Sequence, residues 1–378
     1  MSENTAVLVA LNEAPLDGDD TDNDEFSITT PFDISKIRIE TKTPQMAALI
    51  KRIGDDAIDL APSFQRSGGI WSDAEQSRLI ESMLIKIPLP AFYMDATDND
   101  YWLIVDGLQR LTTIKRFVID QDLVLKGLEF LTDYNGKKFS ELPRSFQRRI
   151  EETDIVLYLI QPGTPANVKF DIFRRINTGG RPLSAQEIRH ALNQGQVTEF
   201  LQKLALSELF IKATDAGVSA SRMDDRECVL RFLAFSLFSP SGYESNNFDR
   251  FLNSAMELAN TLKKEELLSF QEKFNSAMQC AIDVFDQDAF RKRYLEDSSR
   301  YAVNKALFES WSVNLGLLSH EQQAALVKRK DLVKEKFLDL MNTDKDFETA
   351  ISQGTGSVKK VRYRFSQIEK LIMDALTC

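Results

Sequence analysis

Strand-like patterning in this chain is confined to its first half. Short apolar runs bounded by turn residues occupy positions 58–60, 91–94, 101–105 and 155–160. Beyond about residue 195 such runs stop. The second half repeats apolar residues at helical spacing over 229–238, 248–263, 267–285, 302–317, 321–341 and 367–376. A chain of 378 residues is longer than one hydrophobic core usually supports. The change of period therefore predicts an α+β unit over 28–195 and an all-helical unit over 196–378.

Residues 1–27 hold eight acids and no Lys or Arg, which predicts a disordered, solvated leader. These acids carry most of the net charge of −10, so the rest of the chain is close to neutral. The acidic pI of 5.0 thus leaves room for a local anion-binding surface. Three well-separated cysteines and two histidines, His190 and His320, exclude a disulfide framework, a thiolate zinc site and most histidine-based hydrolase designs. No run approaches the roughly 18–20 apolar residues of a membrane span, and no basic segment leads into an apolar one at the start. The expectation is a cytoplasmic protein with no membrane association.

Local signals place the helices. Thr43-Pro44 reads as a helix start, and Ser72/Glu75 and Ser184/Glu187 read as capping boxes. Leu79, Ile80, Met83, Leu84 and Ile87 form one apolar face that Pro88 and Pro90 terminate. Leu111, Ile114, Phe117 and Val118 form another, while Phe232, Phe235 and Phe238 read as helical core. Glu187 reads as a cap, His190 as structural and Cys280 as inert packing.

The stretch richest in chemistry is 101–113, Tyr-Trp-Leu-Ile-Val-Asp-Gly-Leu-Gln-Arg-Leu-Thr-Thr. A strand ends, Asp106-Gly107 turns, and a helix begins within two residues. Such a junction aims unpaired backbone N–H groups and the positive helix end at one point, a geometry suited to phosphate. Gly107 permits close approach and Arg110 offers a planar fork for phosphate oxygens. Gln109 can bond phosphate or position water, and Asp106 can hold a divalent cation or act as a base. A plain tight turn with a capping Asp and a surface Arg is the other reading of the same residues.

The segment Asp106-Gly107-Leu108-Gln109-Arg110-Leu111-Thr112-Thr113 resembles the Asp-Gly-Gln-Gln-Arg-Leu-Thr-Thr signature of the N-terminal domain of GmrSD-type modification-dependent restriction enzymes and related phage-defence proteins. Three more stretches resemble that family in the same order. They are Pro62-Ser63-Phe64-Gln65-Arg66 followed by Trp71; Leu79-Ile80-Glu81-Ser82 with Ile87-Pro88-Leu89-Pro90; and Phe173-Arg174-Arg175-Ile176-Asn177-Thr178-Gly179-Gly180 with Leu183-Ser184 and Glu187 and Arg189. Leu108 stands where the family has Gln, and Phe64 where it has Tyr.

The resemblance implies a ParB/sulfiredoxin-like α+β fold and an NTPase coupled to DNA restriction, using Mg²⁺ and an NTP. By position it makes Asp106, Gln109 and Arg110 catalytic, with Asp106 also the metal ligand. It makes Gly107, Arg110, Thr112, Gln65, Arg66, Asn177, Gly179 and Gly180 nucleotide or phosphate contacts. Arg174, Arg175, Arg181 and Arg189 surround the Gly-rich loop and read either as DNA-backbone contacts or as a solvated face. Arg144, Arg148, Arg149, Lys359, Lys360, Arg362 and Arg364 carry the same two readings. Restriction members often add a His-Asn-His nuclease domain, but after residue 195 the chain has only His320. The leading reading is a nucleotide-binding sensor of a defence system that acts on DNA, phage or modified, with a separately encoded effector nuclease; it leaves room for a homo-oligomer. Two alternatives stand beside it: a metal-dependent nuclease using Asp106 and Glu81, and a non-catalytic DNA-binding adaptor.

Overall fold

The structure, a computed structural model, describes residues 37–60, 71–176, 183–294 and 300–377. These form two compact units that divide after Leu192. The first unit runs β1 (Ile39–Lys42), α1 (Met46–Gly54), β2 (Ile58–Asp59), α2 (Asp73–Leu84), β3 (Phe92–Asp95), β4 (Trp102–Asp106), α3 (Leu108–Ile114), α4 (Arg144–Glu151), β5 (Leu157–Ile160), α5 (Ala166–Ile176) and α6 (Ala185–Leu192). Its five strands form one mixed sheet in the order β1-β5-β3-β4-β2. The pairs β1/β5 and β3/β4 are antiparallel, while β3/β5 and β2/β4 are parallel. With helices around a mixed sheet the unit is α+β, as its patterning predicts.

Alternation along each strand decides what covers each face. Phe92, Met94, Leu157 and Leu159 join Met46, Leu49, Ile80, Leu84, Leu111 and Ile114 in one core. On the opposite side Val105 and Ile160 pack against Phe170, Phe173 and Ile188 from α5 and α6. Buried Lys169 of α5 bonds Asp95 at the end of β3 (2.7 Å). Since Phe170 and Phe173 then lie over Val105 and Ile160, α5 runs back along the sheet and carries Arg174 and Arg175 toward the Asp106 end of β4.

Both capping boxes form, Ser72 with Glu75 and Ser184 with Glu187. Two helix limits differ from expectation. Helix α1 starts at Met46, because the Met46 N–H bonds Thr153 O and Pro44 O accepts from Ile155 N–H, which ties residues 44–46 to the approach of β5. Helix α2 ends at Leu84; Lys86 takes φ +65° and the chain reverses there. Ile87 is consequently 49% exposed instead of completing the apolar face.

Glu81, on the buried side of α2, accepts hydrogen bonds from the N–H groups of Glu129, Phe130 and Leu131 at 3.0, 2.8 and 2.7 Å. Burial by itself would raise its pKa, but the three amides hold the carboxyl below the usual glutamate range. A carboxyl depressed in the folded state contributes stability that is complete above its unfolded pKa and is lost as the pH falls through the folded value. Glu81→Gln is therefore expected to remove about 1–3 kcal/mol at pH 7. In denaturant titrations, its deficit relative to wild type should shrink as the pH drops below about 4.

The second unit consists of α7 (Gln196–Ala205), α8 (Glu208–Thr214), α9 (Asp224–Phe238), α10 (Phe248–Ala259), α11 (Lys264–Phe285), α12 (Lys305–Gly316), α13 (His320–Lys328), α14 (Lys330–Thr343), α15 (Lys345–Ser352) and α16 (Val358–Thr377). Among its described residues the only β-type pairing is an isolated bridge, Arg291 to Val303. The segment 321–341, read as one helix, is two. The chain breaks at Arg329, whose guanidinium bonds Ala375 O and Leu376 O near the end of α16. Helices α7, α8 and α15, of ten, seven and eight residues, are too short for their period to stand out in the sequence. Phe232 and Phe235 are core, Phe232 meeting Phe274 edge-on. Cys280 is buried, and burial pushes its thiol up to about 12, which keeps it inert.

An ion network lies inside this unit. Glu309 and Arg364 are both fully buried and joined through Arg364 Nε (2.9 Å) and Nη2. Arg231 bonds the second Glu309 oxygen at 3.1 Å and Glu227 at 2.7 Å, and Lys305 bonds Asp224 at 2.9 Å. Arg364 also donates to Ala350 O and Thr355 O. Arg364 is thus a core cation and no DNA contact; of that group, Arg144, Arg148, Lys359 and Arg362 are exposed. No helix among the described residues is long and apolar enough to cross a membrane.

Candidate functional site

Strand β4 ends on Asp106, and Gly107 turns the chain with φ +109° into α3. An L-side chain rarely adopts that angle, and a Cβ there would lie 2.5 Å from Phe92 Cδ1 and 3.3 Å from Arg110 Nη2. Gly107→Ala is expected to lower stability by about 1–3 kcal/mol through backbone strain, seen as a lower melting temperature.

Arg110 is 8% exposed. Its Nη1 donates to Pro90 O, and its Nη2 donates to Ala91 O (3.1 Å) and Asp106 Oδ2 (2.8 Å). The guanidinium also lies 4.4 Å over the Phe92 ring. Burial lowers its pKa while Asp106 pulls it back up. The expected open fork for phosphate is therefore corrected: Arg110 is a strut under the turn. It binds the carbonyls that precede the β3 ladder and fixes the carboxylate at the end of β4.

Asp106 stays accessible, with its side chain 32% exposed. Its Oδ2 is held by Arg110, while Oδ1 has no partner among the described residues. Beside it the N–H groups of Leu108, Gln109 and Arg110 open α3 without intrahelical acceptors, since the helical bonding starts with Leu111 N–H to Gly107 O. Gln109 Oε1 accepts from Trp71 N–H (3.2 Å), and Gln76 Nε2 donates to Trp71 O (2.7 Å). Two stretches separate in sequence thus meet at one helix start. Leu108 packs on the core of the first sheet face, and Thr112 is half-buried one turn further on.

Other expected residues are distributed less favourably. Arg189 is 1% exposed, bonds Gln186 Oε1 at 2.8 Å and sits 5.8 Å over the Phe170 ring. Its burial removes it as a DNA-backbone contact. Arg174 and Arg175 are exposed at the end of α5. Gln65, Arg66, Asn177, Gly179, Gly180 and Arg181 lie outside the described residues. Glu81, held by three amides, does not join Asp106, so the carboxylate pair of the nuclease alternative is not assembled. No group of three or more His, Cys, Asp or Glu able to hold a metal ion occurs among the described residues.

The sequence reading missed Tyr93 and Tyr158. They are register partners on the parallel strands β3 and β5, and their rings stack at 4.8 Å with 20° between planes. Tyr93 also faces Asp106 across β3/β4, where the register shifts by a bulge. Burial, then Tyr158 and Asp106, push the Tyr93 hydroxyl above the ordinary tyrosine pKa. The available signal was alternation: Phe-Tyr-Met-Asp at 92–95 and Leu-Tyr-Leu-Ile at 157–160 each set one tyrosine on the face opposite the large apolar core.

An α+β unit with a mixed sheet, in which the inner strand β4 ends in a glycine turn propped by a buried arginine, is the class of domain these features define. Residues 47–193 match the family described as GmrSD restriction endonuclease, N-terminal domain. No curated protein and no solved structure matches the chain.

Proposed function

We propose that the protein is a nucleotide-binding, NTP-hydrolysing sensor subunit of a bacterial restriction or anti-phage defence system, acting in the cytoplasm with DNA and a separately encoded effector nuclease. The family match supports a role in restriction or defence. The observation that carries the finer reading is the Asp106 carboxylate that Arg110 fixes; its Oδ1 and three neighbouring helix-start amides have no partner among the described residues.

A lone carboxylate fits Mg²⁺, which is commonly bound through one or two carboxylates together with substrate phosphates and water. When bound, the ion neutralises charge on the transferring phosphate. The chain's own contribution is then positional. Arg110 holds Asp106 in place, the α3 amides receive phosphate oxygens, and the Gln109 side-chain NH₂, left over after Oε1 binds Trp71, can orient a water. In this reading Gln65, Arg66, Asn177, Gly179, Gly180 and Thr112 complete the nucleotide contacts, and Arg174, Arg175 and Arg181 approach DNA.

Titration calorimetry and phosphate release with each Mg·NTP test the proposal. Wild type is expected to bind at least one NTP. Asp106→Asn is expected to lower turnover by about 10²-fold or more, with a smaller effect on affinity. A folded wild-type protein that binds and hydrolyses no NTP in the presence of Mg²⁺ overturns it.

A further inference from the structure

The Asp106 turn continues into a row of side chains across the sheet. Thr41 of β1 opposes Tyr158 of β5, Tyr158 opposes Tyr93 of β3, and Tyr93 opposes Asp106 of β4. One step along the same face, Asp95 and Ile160 are buried under Lys169 and Phe170 of α5. The tyrosine row is only half-buried. Neither tyrosine hydroxyl has a hydrogen-bond partner among the described residues, and Asp106 Oδ1 has none either.

The ring faces are not equivalent. Tyr158 turns one face to Tyr93, and its other face lies toward Thr41, an exposed side chain on the edge strand too small to cover an aromatic ring. From Tyr158 to Asp106 is two strand spacings, about 10 Å. An extended nucleoside triphosphate spans that distance.

We propose that this row is the base side of the nucleotide site: the nucleobase stacks on the outer face of Tyr158, backed by Tyr93, and the phosphates run along the row to the Gly107 turn. The inference rests on the nucleotide reading above and deepens it by assigning the ring. A stacked ring is recognised by its π-face, so the row favours nucleotides over bare polyphosphate more than it separates one base from another.

The experiment compares inorganic tripolyphosphate with the four nucleoside triphosphates, all with Mg²⁺, by titration calorimetry on wild type, Tyr158→Val and Tyr158→Phe. Wild type is expected to bind at least one NTP about 10-fold or more tightly than tripolyphosphate. Tyr158→Val should erase that advantage while keeping the tripolyphosphate affinity, which also shows that the variant is folded. Tyr158→Phe should keep the advantage, because the ring remains. Equal wild-type affinity for NTPs and tripolyphosphate, or an advantage that survives Tyr158→Val, overturns the stacking assignment and leaves the phosphate site standing. Wild type that binds neither class overturns both. Should the valine variant fail to fold, the wild-type comparison of the two ligand classes decides alone.

Discussion

Glu309→Gln is expected to destabilise the helical unit by about 3–5 kcal/mol, the usual result of stranding a buried charge. Glu309 is fully buried and is the carboxylate that faces both Arg231 and Arg364. Glutamine fills nearly the same volume but replaces one acceptor oxygen by a donor that points at guanidinium N–H groups. Arg231 keeps Glu227, so the larger loss falls on Arg364, which is left with the Ala350 and Thr355 carbonyls and no anion. Urea denaturation read by the fluorescence of Trp311, two residues away on α12, reports the change. Removing both charges together as Glu309→Leu with Arg364→Met is expected to be less harmful than Glu309→Gln, because no cation is left alone on that side. A loss under about 1 kcal/mol for the single variant would show that water reaches the network.

Arg110→Ala is expected to cost the α+β unit about 3 kcal/mol, and it separates two roles for this residue. A surface arginine waiting for phosphate could be removed with a change of about 0.5 kcal/mol or less. The buried strut cannot, because Pro90 O and Ala91 O would lose their donor. An unsatisfied carbonyl shielded from water costs about 1–3 kcal/mol, and this falls on the half-buried Ala91 more than on the exposed Pro90. The contact over Phe92 is lost as well. The pair with Asp106 adds little by itself, because that carboxylate is 32% exposed and screened by water. Arg110→Lys is expected to recover less than half of the loss, since a single ammonium cannot serve three acceptors arranged for a planar fork. Chemical denaturation of the three proteins checks both statements.

The two capping boxes were legible because each is a four-residue device. The glycine turn after β4 was legible for a similar reason: strand, Asp-Gly and helix succeed one another within a few residues. Helix α1 was read as starting too early because Pro44 is claimed by Ile155, more than a hundred residues on. Arg110 was read as a phosphate ligand because nothing in the motif states that the carbonyls of Pro90 and Ala91 end up beside it. Arg189 and Arg364 look like surface cations in the sequence and are core residues in the fold. The Tyr93–Tyr158 stack escaped because it exists only once β3 and β5 pair in parallel.

The amino-acid order alone determined the α+β unit, the helical character of the second half, the capped helix starts and the strand–glycine–helix junction. Each of these is written in side-chain period and backbone preference within about ten residues. The fate of the charged and aromatic groups was decided only by the tertiary structure. Whether a guanidinium or a carboxylate meets water, ligand or protein depends on which acceptors and donors sheet order and helix packing bring within about 3 Å of it. No local pattern carries that distance.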